Sequence, residues 1–250
     1  MTVGRRTRPA PGRKVAVVTG ASQGLGAVVA RLLAGEGYDL ILVARHAAPL
    51  STLSREVRSS GARVTEVVGD VAVGRTRSRI VAAVRPHRGL DLLLNNASEL
   101  GPSPLPPLSR VPLRALEQVY RVNVVAPVSL VQSLLPLLER RHGLVVNISS
   151  DAAVGGYPGW GNYGASKAAL DLISLTLAHE LHDLGVGVVS VDPGDMRTRM
   201  HQRAFPGEDI SDRPLPEATL PFWAWLLGRP NTEVTGHRFR AQSEHWGARA

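Results

Sequence analysis

Apolar positions along this chain change period again and again, and each change marks an element. Val15-Ala-Val-Val-Thr19 is a short apolar run rich in β-branched residues, the composition of a strand buried on both faces. Beyond the turn 20–26, Ala27, Val28, Ala30, Leu32 and Leu33 fall at helical spacing and predict an amphipathic helix. The exchange then repeats. Strands are predicted at 38–44, 63–68, 90–94, 144–148, 186–191 and, last, 234–240. Helices are predicted at about 49–60, around 73–84, from near Pro112 to about Arg140, and after Asn162, where Ala165, Ala169, Leu170, Ile173, Leu177, Leu181 and Leu184 recur. A short apolar helix over 217–227 carries Phe222, Trp223 and Trp225, expected in the core or at a subunit interface. Residues 200–216 have no period and read as a loop. Strands alternating with helices predict βαβ units, hence an α/β fold around a parallel sheet.

Composition narrows the classes. At 250 residues the chain is one domain with a substantial core. It has no cysteine, which excludes disulfides, thiolate metal sites and cysteine nucleophiles. No uninterrupted apolar run is of bilayer-spanning length, so a membrane role is not expected and the cytoplasm is the expected compartment. Residues 1–13 read as a flexible basic leader, since Arg5-Arg6 is followed by Pro9, Pro11 and Gly12 and not by an apolar core of a signal. The formal charge of +8 comes almost wholly from arginine, Lys14 and Lys167 being the only lysines. Because the arginines are scattered and not interleaved with aromatics, no nucleic-acid partner is expected. His179-Glu180-Leu181-His182 spaces its histidines three apart where a zinc helix needs four, so no metal site is expected.

Candidate chemistry lies at two places. Gly20, Gly24 and Gly26 form a glycine-rich turn between strand and helix, where bare amides and a helix N-terminus can meet a phosphate. The second is the stretch 147–169. Ser149 and Ser150 stand at the carboxyl end of a strand, and Tyr163 and Lys167 are four apart on the helix that follows, so their side chains share a face. An ammonium beside a phenol stabilises phenolate, and the pair is expected to lower a pKa of about 10. The second strand ends at Arg45 without the carboxylate that binds a ribose 2′-hydroxyl, and Asp39 lies at its far end. Arg45 is therefore suited to a 2′-phosphate, with no carboxylate expected to oppose it.

Taken in order, Thr19-Gly20-x-x-x-Gly24-x-Gly26, Asn95-Asn96-Ala97, Asn123, Ser150, Tyr163-x-x-x-Lys167, Pro193-Gly194 and Thr198 resemble the single-domain, NADP(H)-type branch of the short-chain dehydrogenase/reductase family. The resemblance implies a Rossmann-type, doubly wound parallel sheet of seven strands with helices on both faces, in one catalytic domain over 14–250 with a substrate lid near 199–216. It implies an NADP(H)-dependent oxidoreductase that moves hydride between the nicotinamide and a carbonyl or secondary alcohol. Catalytic roles would fall to Asn123, Ser150, Tyr163 and Lys167. Cofactor contacts would come from Gly20, Ser22, Gly24, Leu25, Gly26, Arg45, Asp70, Val71, Asn96, Ala97, Tyr163, Lys167, Pro193, Gly194 and Thr198, the last holding the carboxamide. Asn123 would place a relay water through its backbone, and Pro127, unable to donate to the Asn123 carbonyl, would help keep that acceptor open. A homo-oligomer, dimer or tetramer, is expected from the resemblance and from the apolar helix at 221–227. Ser98 stands where the family more often has glycine, a departure expected to affect loop shape and not chemistry. The alternative is a non-catalytic NADP(H)-binding regulator or scaffold on the same fold.

Overall fold

A computed structural model describes residues 13–247. Seven parallel strands stand in the order β3-β2-β1-β4-β5-β6-β7: β1 Val15–Thr19, β2 Asp39–Ala44, β3 Val64–Val68, β4 Leu92–Asn95, β5 Leu144–Ile148, β6 Gly187–Asp192 and β7 Arg238–Arg240. The central strands are apolar but for Thr19, Asn95 and Asn147 because both faces are covered. Ala16 and Val18 face one core while Val15 and Val17 face the other. The first core takes α1 Gly24–Gly35, α2 Ala47–Ser59 and the later α9 Leu220–Leu227; the second takes α3 Gly74–Val84, α5 Ala126–Glu139 and part of α7 Gly161–Glu180. The strand order reverses between β1 and β4, and at such a point the loops part to leave a crevice at the strands' carboxyl ends.

Four elements differ from expectation. The helix predicted from Pro112 to Arg140 is α4 Leu113–Tyr120, a π-helical turn Arg121–Val125, and α5. Pro127 has no amide hydrogen to return to the Asn123 carbonyl, and the backbone widens beside it, Ala126 N donating to Arg121 O. By length and composition the whole run Leu113–Glu139 could cross a bilayer, yet Val122, Ala126, Leu130 and Leu134 pack it against the sheet. The glycine-rich stretch 151–161 after β5 reads as a turn in the sequence and holds a short α6, Ala152–Gly155. Residues predicted to be an aperiodic loop hold α8, Arg199–Ala204. The last strand is shorter than predicted because Asn231–Val234 folds as α10.

Helix α9 is also not a free apolar surface: Phe222, Trp223 and Leu226 are buried, and Trp246 of the C-terminal stretch packs on Phe222 with centroids 5.6 Å apart. The predicted leader lies outside the described residues except Arg13, which pairs with Asp39 at 2.9 Å.

Candidate active site

The glycine turn is shaped by what lies under it. Gly20 has φ +65°, and a Cβ there would lie 2.8 Å from Asn96 Nδ2. At Gly26 a Cβ would lie 2.5 Å from both Asn96 Nδ2 and the Gly20 carbonyl oxygen. No side chain fits either place. Asn96 Nδ2 donates to the carbonyls of Thr19 (2.9 Å) and Gly20 (3.1 Å), while Thr19 Oγ1 accepts from the amides of Asn96 and Ala97, each at 3.0 Å. The turn is thereby held open over the N-terminus of α1, with its backbone bare and the helix dipole behind it.

From this turn a cleft of about 940 Å³ runs to the end of β5. Every residue assigned to a cofactor or catalytic role in the sequence lines it, except Gly26, which lies beneath, and Asn123. Ser22, Gly24 and Leu25 come from the turn, Asp70 and Val71 from the end of β3, and Pro193, Gly194 and Thr198 from the loop after β6. Asp70 Oδ1 accepts from Ala72 N at 2.8 Å and so fixes its own bend. The elongated cleft and its glycine cradle fit a dinucleotide.

Arg45 reaches into the cleft, but not unopposed. Glu99 Oε2 lies 3.3 Å from its Nη1, contrary to the expectation of a carboxylate-free site. Glu99 also faces Arg203 Nη2 at 3.6 Å and accepts from Gly101 N at 3.3 Å. These contacts bring together the ends of β2 and β4 and the lid, which lie far apart in the chain. Asp39 is at the other end of β2 as expected, buried and accepting from Arg63 N at 3.2 Å.

At the far end of the cleft Tyr163 is buried, and Ser98 and Ser150 line the cleft with it. Burial pushes the phenol well above its ordinary value, Asp192 and Asp151 act in the same direction, and the two hydroxyls act against them. Lys167 Nζ donates to the Ile148 carbonyl at 2.8 Å and sits 5.4 Å from the centroid of the Tyr163 ring. Its own burial pulls it down to about 8, against the opposing charge of Asp171. The expected lowering of the tyrosine is therefore not realised in the free protein, where desolvation dominates both groups. Tyr163 is protonated at neutral pH.

Ser150 Oγ donates to Asp151 Oδ1 at 3.0 Å and accepts from Ala152 N at 3.1 Å, while the hydroxyl of the deeply buried Ser149 has no partner among the described residues. Asn123 has its side chain fully engaged. Oδ1 accepts from Glu99 N (2.8 Å) and Ser98 Oγ (3.2 Å), and Nδ2 donates to Glu99 O and Ser166 Oγ, each at 2.9 Å. The asparagine thus joins the loop after β4 to α7, leaving any relay contact to its main chain. Ser98 Oγ, through its bond to Asn123, ties that loop to the π turn.

The wall over Tyr163 is aromatic. Trp160 lies 5.8 Å from Tyr163 and 5.9 Å from Phe205, and Phe205 lies 4.9 Å from His201, centroid to centroid. Phe205 and His201 belong to the lid, whose helix α8 is capped by Thr198 Oγ1 accepting from His201 N at 3.2 Å. Arg203 Nη2 donates to Gly101 O at 3.1 Å and Ser103 Oγ to Arg203 O at 2.6 Å, fastening the predicted lid to the proline-rich loop 101–108. Gln242 Nε2, which no sequence pattern singled out, donates to the carbonyls of Pro193 and Asp195, each at 2.9 Å, and supports the loop after β6. Among the described residues no three histidine or carboxylate side chains gather as metal ligands, and His179 and His182 are exposed.

The short chain dehydrogenase model matches residues 14–209. The chain is 37% identical over 190 residues to the uncharacterized oxidoreductase YIR035C of Saccharomyces cerevisiae, covering 75% of this chain and 72% of that one. It is 35% identical over 183 residues to the serine 3-dehydrogenase of Rhizobium radiobacter, covering 73% and 72%. A short chain dehydrogenase of Shigella flexneri solved in complex with NADP superposes with a TM-score of 0.85 at 31% identity, over 92% of this chain and 97% of that one. With the cleft, the glycine cradle and the tyrosine–lysine pair in place, these likenesses establish that the chain is an oxidoreductase of the short-chain dehydrogenase/reductase family.

Proposed function

We propose that this protein transfers hydride reversibly between NADP(H) and a carbonyl or secondary alcohol, with Tyr163 as general acid and base. The observation that carries the reading is the buried Tyr163 beside Lys167, lining with Ser150 the end of the cleft where its glycine cradle gives way to an aromatic chamber. The cofactor supplies the hydride when bound, and everything else falls to this chain's residues. The glycine turn and the N-terminus of α1 would hold the pyrophosphate, and Arg45 the 2′-phosphate. Ser150 would donate to the substrate oxygen and stabilise its developing charge. Tyr163 would give that oxygen its proton, and its raised pKa keeps the proton available at neutral pH. Lys167 would carry the positive charge that the phenolate needs once the proton has left. Trp160, Phe205 and Met200 would exclude water and favour an apolar substrate body. The Shigella flexneri relative's complex with NADP supports the choice of cofactor. The same reading includes a homo-oligomer, for which the exposed Leu113, Val125, Leu172 and Leu175 give apolar surface, and sedimentation at micromolar concentration tests it.

The decisive experiment is Tyr163→Phe. NADPH binding by fluorescence titration should persist, while turnover of a carbonyl panel falls about 10²- to 10⁴-fold. Turnover at the wild-type rate would reject the assignment.

A further inference from the structure

Arg238 lies in β7, the last strand, and its guanidinium reaches back to the ends of β5 and β6. Nε donates to Asp171 Oδ2 at 2.9 Å, and Nη2 donates to the Ser150 carbonyl at 2.8 Å and to Asp192 Oδ2 at 3.4 Å. The other oxygen of Asp192 accepts from Gly194 N at 3.0 Å. One planar group thus meets three segments: the turn that carries Ser150, helix α7 one turn beyond Lys167, and the loop that carries Pro193 and Gly194.

We propose that Arg238 is a positioning residue for the reaction, clasping Ser150 and the loop after β6 to the helix that holds Tyr163 and Lys167. The inference rests on Tyr163 being the acid and base, with Ser150 beside it.

Strand pairing alone does not do this. The β5–β6 ladder ends at Ile148 opposite Val191, with Ser149 N still donating to Val191 O at 2.7 Å. Past that point Arg238 is the one described residue hydrogen-bonded to both Ser150 and Asp192. Register supplies the reach, since Arg238 stands opposite Ser190 and Ala241 N donates to Asp192 O at 2.8 Å. The charges hold the fork in place. Asp192 is 3% exposed, Asp171 Oδ1 is buried without a partner, and among the described residues the Arg238 guanidinium is the only cation paired with either carboxylate. A buried carboxylate that loses its cation is costly. Lysine cannot stand in, because one nitrogen cannot face Asp171 from one edge and Ser150 with Asp192 from another. Beside the guanidinium a cavity of about 310 Å³, lined by Asp171, Ser174, Ser190 and Arg238 among others, leaves room for a small cation.

The test pairs Arg238→Ala with Arg238→Lys in NADPH-dependent reduction of the carbonyl that the wild type turns over fastest in the panel. In Arg238→Ala kcat should fall about 100-fold, the cost of a misplacement of about 1 Å, with KM for the carbonyl and NADPH affinity within about threefold of wild type. Arg238→Lys keeps the charge but not the fork, and should still lose about tenfold or more in kcat. Methylguanidinium at millimolar concentration, entering by the cavity, should restore much of the Arg238→Ala rate, and methylammonium should not. Independently of turnover, amide hydrogen exchange in the cofactor-free protein should quicken over 149–152 and 192–195 in both variants and stay unchanged over 20–26. A wild-type kcat in Arg238→Lys would overturn the proposal, as would unchanged exchange at both strand ends or equal rescue by methylammonium. Should Arg238→Ala fail to fold, Arg238→Lys decides alone. Should Tyr163→Phe retain its rate, the proton-transfer reading itself falls; an inactive Tyr163→Phe beside a wild-type rate in Arg238→Lys removes Arg238 alone.

Discussion

Lys167 holds a charge where the fold would be more stable without one, and replacing it should show this. Its side chain is 1% exposed, and burial lowers its pKa from 10.5 to about 8. At about 1.4 kcal/mol per tenfold change in proton affinity, that gap amounts to about 3 kcal/mol. The sign follows from which state holds the proton. Below pH 8 both states are protonated, and the folded protein bears the whole cost of the buried ammonium. Between pH 8 and 10.5 the unfolded chain keeps a proton that the folded one has released, so stability rises with pH. Lys167→Met removes the ammonium and keeps much of the volume, while giving up the bond to the Ile148 carbonyl, worth about 1 kcal/mol. The variant should be about 2 kcal/mol more stable than wild type at pH 7, lose that advantage by pH 10.5, and lack turnover. Urea unfolding of both cofactor-free proteins from pH 7 to 10.5 measures the difference, in which the other titrating groups cancel. A less stable variant at pH 7, or a difference that stays flat from pH 8 to 10.5, would refute the reasoning.

Further expectations concern the cofactor cleft. Glu99→Gln removes the carboxylate 3.3 Å from Arg45 and should tighten NADPH about two- to fivefold with NADH unchanged, the modest effect of an exposed pair; equal shifts for both cofactors would count against a 2′-phosphate at Arg45. Ala44→Asp with Arg45→Ala should move preference towards NADH, read as the ratio of kcat/KM values. Gly26→Ala sets a Cβ 2.5 Å from the Gly20 oxygen and should cost about 1–3 kcal/mol in urea unfolding together with NADPH affinity. Pro127→Ala supplies the missing amide hydrogen, and turnover should fall as the π turn tightens, with NADPH affinity little changed; an unchanged rate with the π turn retained would make the proline incidental.

The parts of the fold that were legible are those in which local pattern and burial coincide. Val15–Thr19 and Leu144–Ile148 emerge with their predicted bounds because a strand covered on both faces reads as a nearly continuous apolar run, broken here only by Thr19 and Asn147. The π turn was not legible. One extra residue per turn leaves the apolar stripe nearly in phase, and Pro127 was its only local sign. Val234 is buried as a helical residue beside β6, and an apolar residue at that place reads equally well as strand. The lid helix has six residues, too few for a period. The glycine turn, Tyr163 and Lys167 were legible as candidates because their spacing is local, and they line one cleft. The contacts of Glu99 and Gln242 were not legible because their partners lie across the strand ends. The contact between Arg45 and Glu99 spans 54 residues and depends on β2 and β4 flanking β1, which spacing along the chain does not encode.

The aromatic wall has a consequence for how substrate preference can change. Trp160 precedes α7, Phe205 follows the lid helix, and Leu105 comes from the proline-rich loop, yet all three belong to one packed cluster around Tyr163. None has a private share of the chamber. Shrinking Phe205 frees Trp160 to tilt, so the volume opened by one substitution depends on the residue opposite. Under the proposed function, substrate preference would be a joint property of three chain segments, and double substitutions across them should depart from the sum of the singles by about 0.5–3 kcal/mol. Related chains could diverge in substrate by paired exchanges, each poor by itself, while the phenol beneath keeps its place.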